Sequence, residues 1–189
     1  KVFTDLVRWD GRDNYEKWQI VDSEGEGIDI KMSIHQLTAT RDYVILMDTA
    51  FQLEPENFTS ETQVPRAQLP DSVFYIINKK DLTAGGGKVS ARKLVIPREG
   101  IHFAADFSNP NGKITLYVAH NCANDGTEWV QETDVHPFTN KPLSDSLYGF
   151  IPEGNDLCFL GKHIIDAETA EVEKSELLSD MEHTWSLAF

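Results

Sequence analysis

Apolar and polar residues alternate along most of this chain, in short runs broken by glycine, asparagine and aspartate. Candidate β-strands fall at 2–9, 16–22, 28–37, 43–50, 72–78, 88–96, 101–107, 113–120, 157–166, 171–178 and 184–189. Period-two alternation places one face of such a strand on a core. In ITLYVAHN, for instance, Ile114, Leu116, Val118 and His120 share a face. The breaks DGRDN, SEGEG, AGGG, NPNG and ANDG supply residues that tolerate turn conformations. Asn111-Gly112 is a tight-turn dipeptide, expected to join the strand around His102 to the strand around Leu116.

Helical signals are weak. The stretch 164–182 holds many helix formers, yet it also reads as strand, turn, strand: Ile164-Ile165, the polar break Asp166 to Thr169, then the run from Val172. The second reading is preferred. Residues 51–71 carry three prolines and no alternation, which reads as a long loop. The pattern therefore predicts an all-β protein of antiparallel strand-turn-strand units, with sandwich, barrel and propeller left open.

Composition narrows the picture. A chain of 189 residues with 40% hydrophobic content suits one domain with a packed core. Seventeen Lys and Arg against 31 Asp and Glu give a net charge of −14. Such a surface repels phosphate backbones, so no nucleic acid partner is expected. The two cysteines, Cys122 and Cys158, lack CxxC spacing and point to a reduced, cytoplasmic setting. No apolar run reaches the roughly 18 residues of a spanning helix. The chain opens on KVFTDLVRW and closes on HTWSLAF, both strand-like. The expectation is a single domain over 1–189 that is a fragment of a larger protein.

The candidate chemistry lies in six histidines: 35, 102, 120, 136, 163 and 183. None forms an HExxH motif or a helical i, i+4 pair, so a metal site would have to be assembled from separate strands. His35 stands in SIHQLTATRDYVILMD, an ionisable ring beside a strongly strand-forming run. It reads as a metal ligand, a catalytic base or a hydrogen-bonded core histidine. His102 shares its face with Ala104 and Asp106, small neighbours that leave room beside the ring. His120, on an aliphatic face, reads first as a core residue. No GxSxG elbow is present, and AGGGK lacks the spacing of a phosphate loop.

Two segments resemble the carotenoid cleavage oxygenase family. In SIHQLTATRDYVILMD the matching positions are His35, Thr40, Tyr43, Val44 and Asp48. In LVIPREGIHFAADFSNPNGKITLYV they are Ile96-Pro97-Arg98, His102 and the hairpin ending Gly112 to Ile114. Where the family usually has an acidic residue directly after the second iron histidine, this chain has Gln36. The resemblance implies consecutive antiparallel blades of a seven-bladed β-propeller. It implies four histidines on one Fe(2+), with His35 as the second ligand and His102 as the third. The first and fourth would lie outside this chain, and His120 stands as the alternative to His102. The implied activity is a dioxygenase that cleaves a C=C bond of a carotenoid, apocarotenoid or stilbene-like substrate. This chain alone is expected to be inactive. The implied partners are an apolar polyene or stilbene and dioxygen, with peripheral membrane contact of the full-length protein left open. A non-catalytic β-propeller binding module with an incomplete metal site is the competing expectation.

Overall fold

A computed structural model describes residues 3–49, 71–120, 141–148 and 159–178, together with Glu132 and Thr139. The sequence readings for residues 51–70, His136, His183, both cysteines and the strand at 184–189 lie outside the described residues. Among the described residues there are eleven strands: β1 (Asp5–Trp9), β2 (Tyr15–Val21), β3 (Leu37–Ala39), β4 (Tyr43–Asp48), β5 (Asp71–Asn78), β6 (Gly87–Ser90), β7 (Arg92–Pro97), β8 (Gly100–Ala105), β9 (Lys113–His120), β10 (Phe159–Asp166) and β11 (Glu171–Leu178). Helix is confined, among the described residues, to three short 3₁₀ turns.

The strands form three sheets, ordered β1-β2-β6, β3-β4-β5-β7 and β8-β9-β10-β11. The second and third are antiparallel throughout. The first carries one parallel pair, β2 with β6, which the expectation of purely antiparallel units did not include.

The middle sheet explains the run Tyr43 to Met47. Ile45, Met47, Phe74, Ile76, Leu94 and Ile96 pack against Phe103, Ile114, Leu116, Val118 and Ile165 of the third sheet. On its other face, Val44, Leu46, Tyr75 and Ile77 pack against Trp18, Ile20 and Val89 of the first. A strand covered on both sides has no use for polar alternation, and every residue of β4 is buried. Phe74 meets Phe103 edge-to-face across the gap between sheets, with ring centroids 5.2 Å apart.

Two strand expectations are corrected. Residues 28–37 do not form one strand, because the backbone there bonds to a side chain instead of a ladder. The buried Asp48 carboxylate accepts the N–H groups of Lys31 (2.8 Å) and Met32 (2.9 Å). The chain then makes a single bridge, Ser33 with Thr49, before β3 begins. Residues 88–96 split at Ala91, whose N–H bonds Val21. The segment before Ala91 joins β2 and the segment after it joins β5.

Turn chemistry follows the sequence more closely. Asn111 adopts φ 56° in the β8–β9 connection. The buried Asn109 side-chain oxygen accepts from the Thr40 hydroxyl (2.8 Å) and the Asp42 N–H (3.1 Å), tying this connection to the β3–β4 turn. In the β10–β11 hairpin the Asp166 carboxylate accepts from Lys113 Nζ and from the N–H groups of Thr169 and Glu168.

Phe74→Ala should cost about 3–5 kcal/mol, since it empties the contact between two sheets. Urea denaturation would read this as a lower midpoint with an unchanged slope. The Lys113 hydrogen bond, then the two N–H donors, lower the Asp166 pKa from 3.8 to about 2. A carboxylate lowered on folding adds stability that is complete above 3.8 and lost as pH falls through 2. Asp166→Asn should therefore flatten the acid limb of the stability profile in that window, read by thermal denaturation from pH 5 to pH 2.

Candidate functional site

His35 and His102 are 67 positions apart and meet. Their Nε2 atoms stand 3.1 Å apart, with ring centroids at 5.1 Å and planes inclined by 48°. Each arrives from the edge of its own sheet. His35 lies two residues before β3, and His102 lies within β8. Both β3 and β8 are outermost in their sheets.

The local backbone explains the placement. Between the sheets, the Gln36 side chain bonds the backbone of the residue after His102. Its Nε2 donates to the Phe103 carbonyl (2.6 Å), and its Oε1 accepts the Phe103 N–H (2.9 Å). A bulge in β8 sets Gly100 opposite His120 and His102 opposite Ala119, leaving Ile101 as the extra residue. His102 and His120, on neighbouring strands, consequently face opposite sides of the sheet. His102 turns toward His35, while His120 joins the face of Val118 and Leu116.

The corner that feeds β8 is strained. Arg98 holds φ 78°, rare for a residue with a side chain. Its carbonyl is pinned by the Ser72 N–H (2.9 Å) and hydroxyl (2.7 Å). Its guanidinium lies over the Phe159 ring, 5.5 Å from the centroid. The Pro97-Arg98 element singled out in the sequence thus shapes the entry to the histidine strand.

His120, the alternative to His102, is paired elsewhere. Its Nε2 lies 3.0 Å from Nε2 of His163, and the two rings are 0% and 2% exposed. Their centroids are 5.3 Å apart and the planes perpendicular, so the nitrogens meet head-on as in a linear hydrogen bond. The donors can be assigned from the network. His120 Nδ1–H donates to the Glu99 carbonyl (3.1 Å), which leaves Nε2 as an acceptor. His163 therefore donates through Nε2–H, and its Nδ1 accepts from the Ser175 hydroxyl (2.9 Å). Burial lowers the pKa of His120. Burial, and then the neighbouring His120, lower that of His163 to about 4. With both rings neutral, all four ring nitrogens have a hydrogen-bond partner, as a core histidine pair requires.

The two histidine pairs differ in burial: His120 and His163 are buried, whereas His35 is exposed and His102 half-buried. In both pairs Nε2 meets Nε2 at hydrogen-bond distance. Sequence reasoning paired neither His120 nor His163. The signal was Gly161, two residues before His163: a Cβ built there would lie 2.3 Å from His163 Nε2 and 2.7 Å from His120 Nε2. Among the described residues no cluster of three or more His, Cys, Asp or Glu is arranged to hold a metal ion. No helix among them is long and apolar enough to cross a membrane. The chain matches no protein-family model, no curated protein and no solved structure.

The buried pair generates a pH prediction. With His163 at about 4 folded and 6.5 unfolded, the unfolded chain binds more protons between these values. Stability should fall as pH drops from 6.5 to 4, by an amount on the order of 3 kcal/mol at most, and then level. In His163→Leu the slope over this window should shrink to the His120 contribution. Urea midpoints measured at pH 7, 6, 5 and 4 would check it.

Proposed function

We propose that His35 and His102 are two ligands of a non-haem Fe(II) centre, in a dioxygenase that cleaves a C=C bond of an apolar polyene or stilbene-like substrate. The observation that carries this reading is the convergence of the two rings. Two nitrogens bound side by side to one ion at about 2.1 Å stand about 3.0 Å apart, and these stand 3.1 Å apart, a separation that a ring-to-ring hydrogen bond spans in the absence of an ion. Neutral imidazole suits iron, and a set made only of imidazoles leaves positions open for a further ligand.

The architecture supports the same reading. β3-β4-β5-β7 and β8-β9-β10-β11 are successive antiparallel four-stranded sheets. In each, the strand carrying or adjoining a histidine comes first. Blades around a shared axis have this order, and closure into seven blades belongs to the proposal. In it, the remaining imidazoles come from beyond these 189 residues.

Within the chain the roles divide simply. His35 and His102 hold the ion from two sheets. Thr40 and Asn109 fix the β3–β4 turn against the β8–β9 connection, and Asp48 anchors the segment leading to His35. Bound iron would supply dioxygen activation. A second reading, a non-catalytic β-rich binding module, is favoured by the absence of a third ligating side chain at either pair among the described residues.

The test is anaerobic loading with Fe(II), followed by nitric oxide as a dioxygen surrogate. The dioxygenase reading expects about one iron per chain and a nitrosyl spectrum, both lost in His35→Ala/His102→Ala. Oxygen uptake with a stilbene or apocarotenoid added to the iron-loaded protein separates the two readings. These measurements are made on the full-length protein, which carries all four proposed imidazoles, and absence of iron from its unsubstituted form would sink the first.

A further inference from the structure

Residue 36 sits between a candidate ligand and a strand, and its side chain leaves its own sheet. The Gln36 carbonyl accepts from the Met47 N–H (3.4 Å), which fastens it to β4. Its primary amide reaches the open edge of β8 and makes the two bonds to Phe103 described above. Phe103 directly follows His102, as Gln36 directly follows His35. One side chain thus joins the neighbours of both rings.

The chemistry of the contact is selective. An edge strand presents N–H and C=O groups without a ladder partner. A primary amide carries one donor and one acceptor in a plane, and it can meet both groups of one residue. Its orientation is fixed, because a flipped amide would set oxygen against the carbonyl and NH₂ against the N–H. A carboxylate at residue 36 could accept the Phe103 N–H but would oppose its carbonyl. An apolar side chain could do neither.

We propose that Gln36 is the positioning residue of the histidine pair: its amide, docked on the Phe103 backbone, sets the approach of the His35 ring to the His102 ring. This rests on the reading of the pair as a transition-ion site, to which it adds the device that fixes the ligand geometry. Groups that orient ligands from behind typically change metal affinity by about 10–100-fold when removed. Gln36 acts here through the backbone rather than by touching an imidazole.

The experiment compares the unsubstituted protein with Gln36→Glu and Gln36→Met, the second covering the case in which the charged variant fails to fold. Two readouts are taken: contacts between the His35 and His102 ring protons by NMR, and Co²⁺ affinity from its visible absorption. Near-UV circular dichroism reports whether the core is intact. The expected result is loss of the ring–ring contact and a 10–100-fold weaker Co²⁺ complex, with the core signal unchanged. Retention of the ring–ring contact in either folded variant would overturn the proposal, whatever the metal does. Failure of the unsubstituted protein to bind Co²⁺ would remove the metal reading alone, because the ring–ring contact still decides whether Gln36 positions the pair.

Discussion

The double-sided burial of the middle sheet is the constraint from which the rest follows. β4 and β5 offer apolar side chains on both faces, so each face must be covered by another sheet. Once both neighbours are docked, the edges of the middle and third sheets come close, and β3 lies near β8. Hydrophobic burial sets the sheet spacing, and a few polar contacts fix the lateral fit. Those contacts are Thr40 with Asn109, Gln36 with Phe103, and the Arg41 N–H with the Phe107 carbonyl (2.8 Å).

Directional contacts laid over a non-directional core divide the work sensibly. Sheet packing tolerates small sliding motions, because apolar surfaces carry little registration of their own. A metal-binding pair tolerates little, because its donor separation must match an ion. The side-chain–backbone bonds between β3 and β8 convert a loose approximation into a defined one. The strained Arg98 corner serves the same end from the other side, directing the chain into β8 while Ser72 holds its carbonyl.

Much of this was legible in the sequence wherever the physics is local. Alternation located β9 and β10, and the polar break at Asp166 to Thr169 separated β10 from β11. The same reasoning failed where a side chain replaced a ladder. Nothing in IDIKMSIHQL says that Lys31 and Met32 give their N–H groups to Asp48, 17 and 16 residues on. The split at Ala91 depends on which sheets lie either side, which the run of residues does not encode. His35 and His102 were visible as candidates, and the structure brings them together. The bulge at Ile101 and the reach of Gln36 were not visible, since both depend on register between strands distant in the chain. The His120–His163 pair was missed for the same reason: its members are 43 residues apart and meet only after β9 and β10 align.

Gly161 shows how far such a contact can dictate composition elsewhere. Its backbone needs no left-handed conformation, so alanine would be acceptable on torsional grounds. What excludes alanine is volume, because the place of a methyl group is taken by the approach of two rings. A cavity-filling redesign that treated this position as vacant space in a β-sheet would wedge the imidazoles apart, breaking a link that runs from Ser175 on the outer strand to the corner at Glu99.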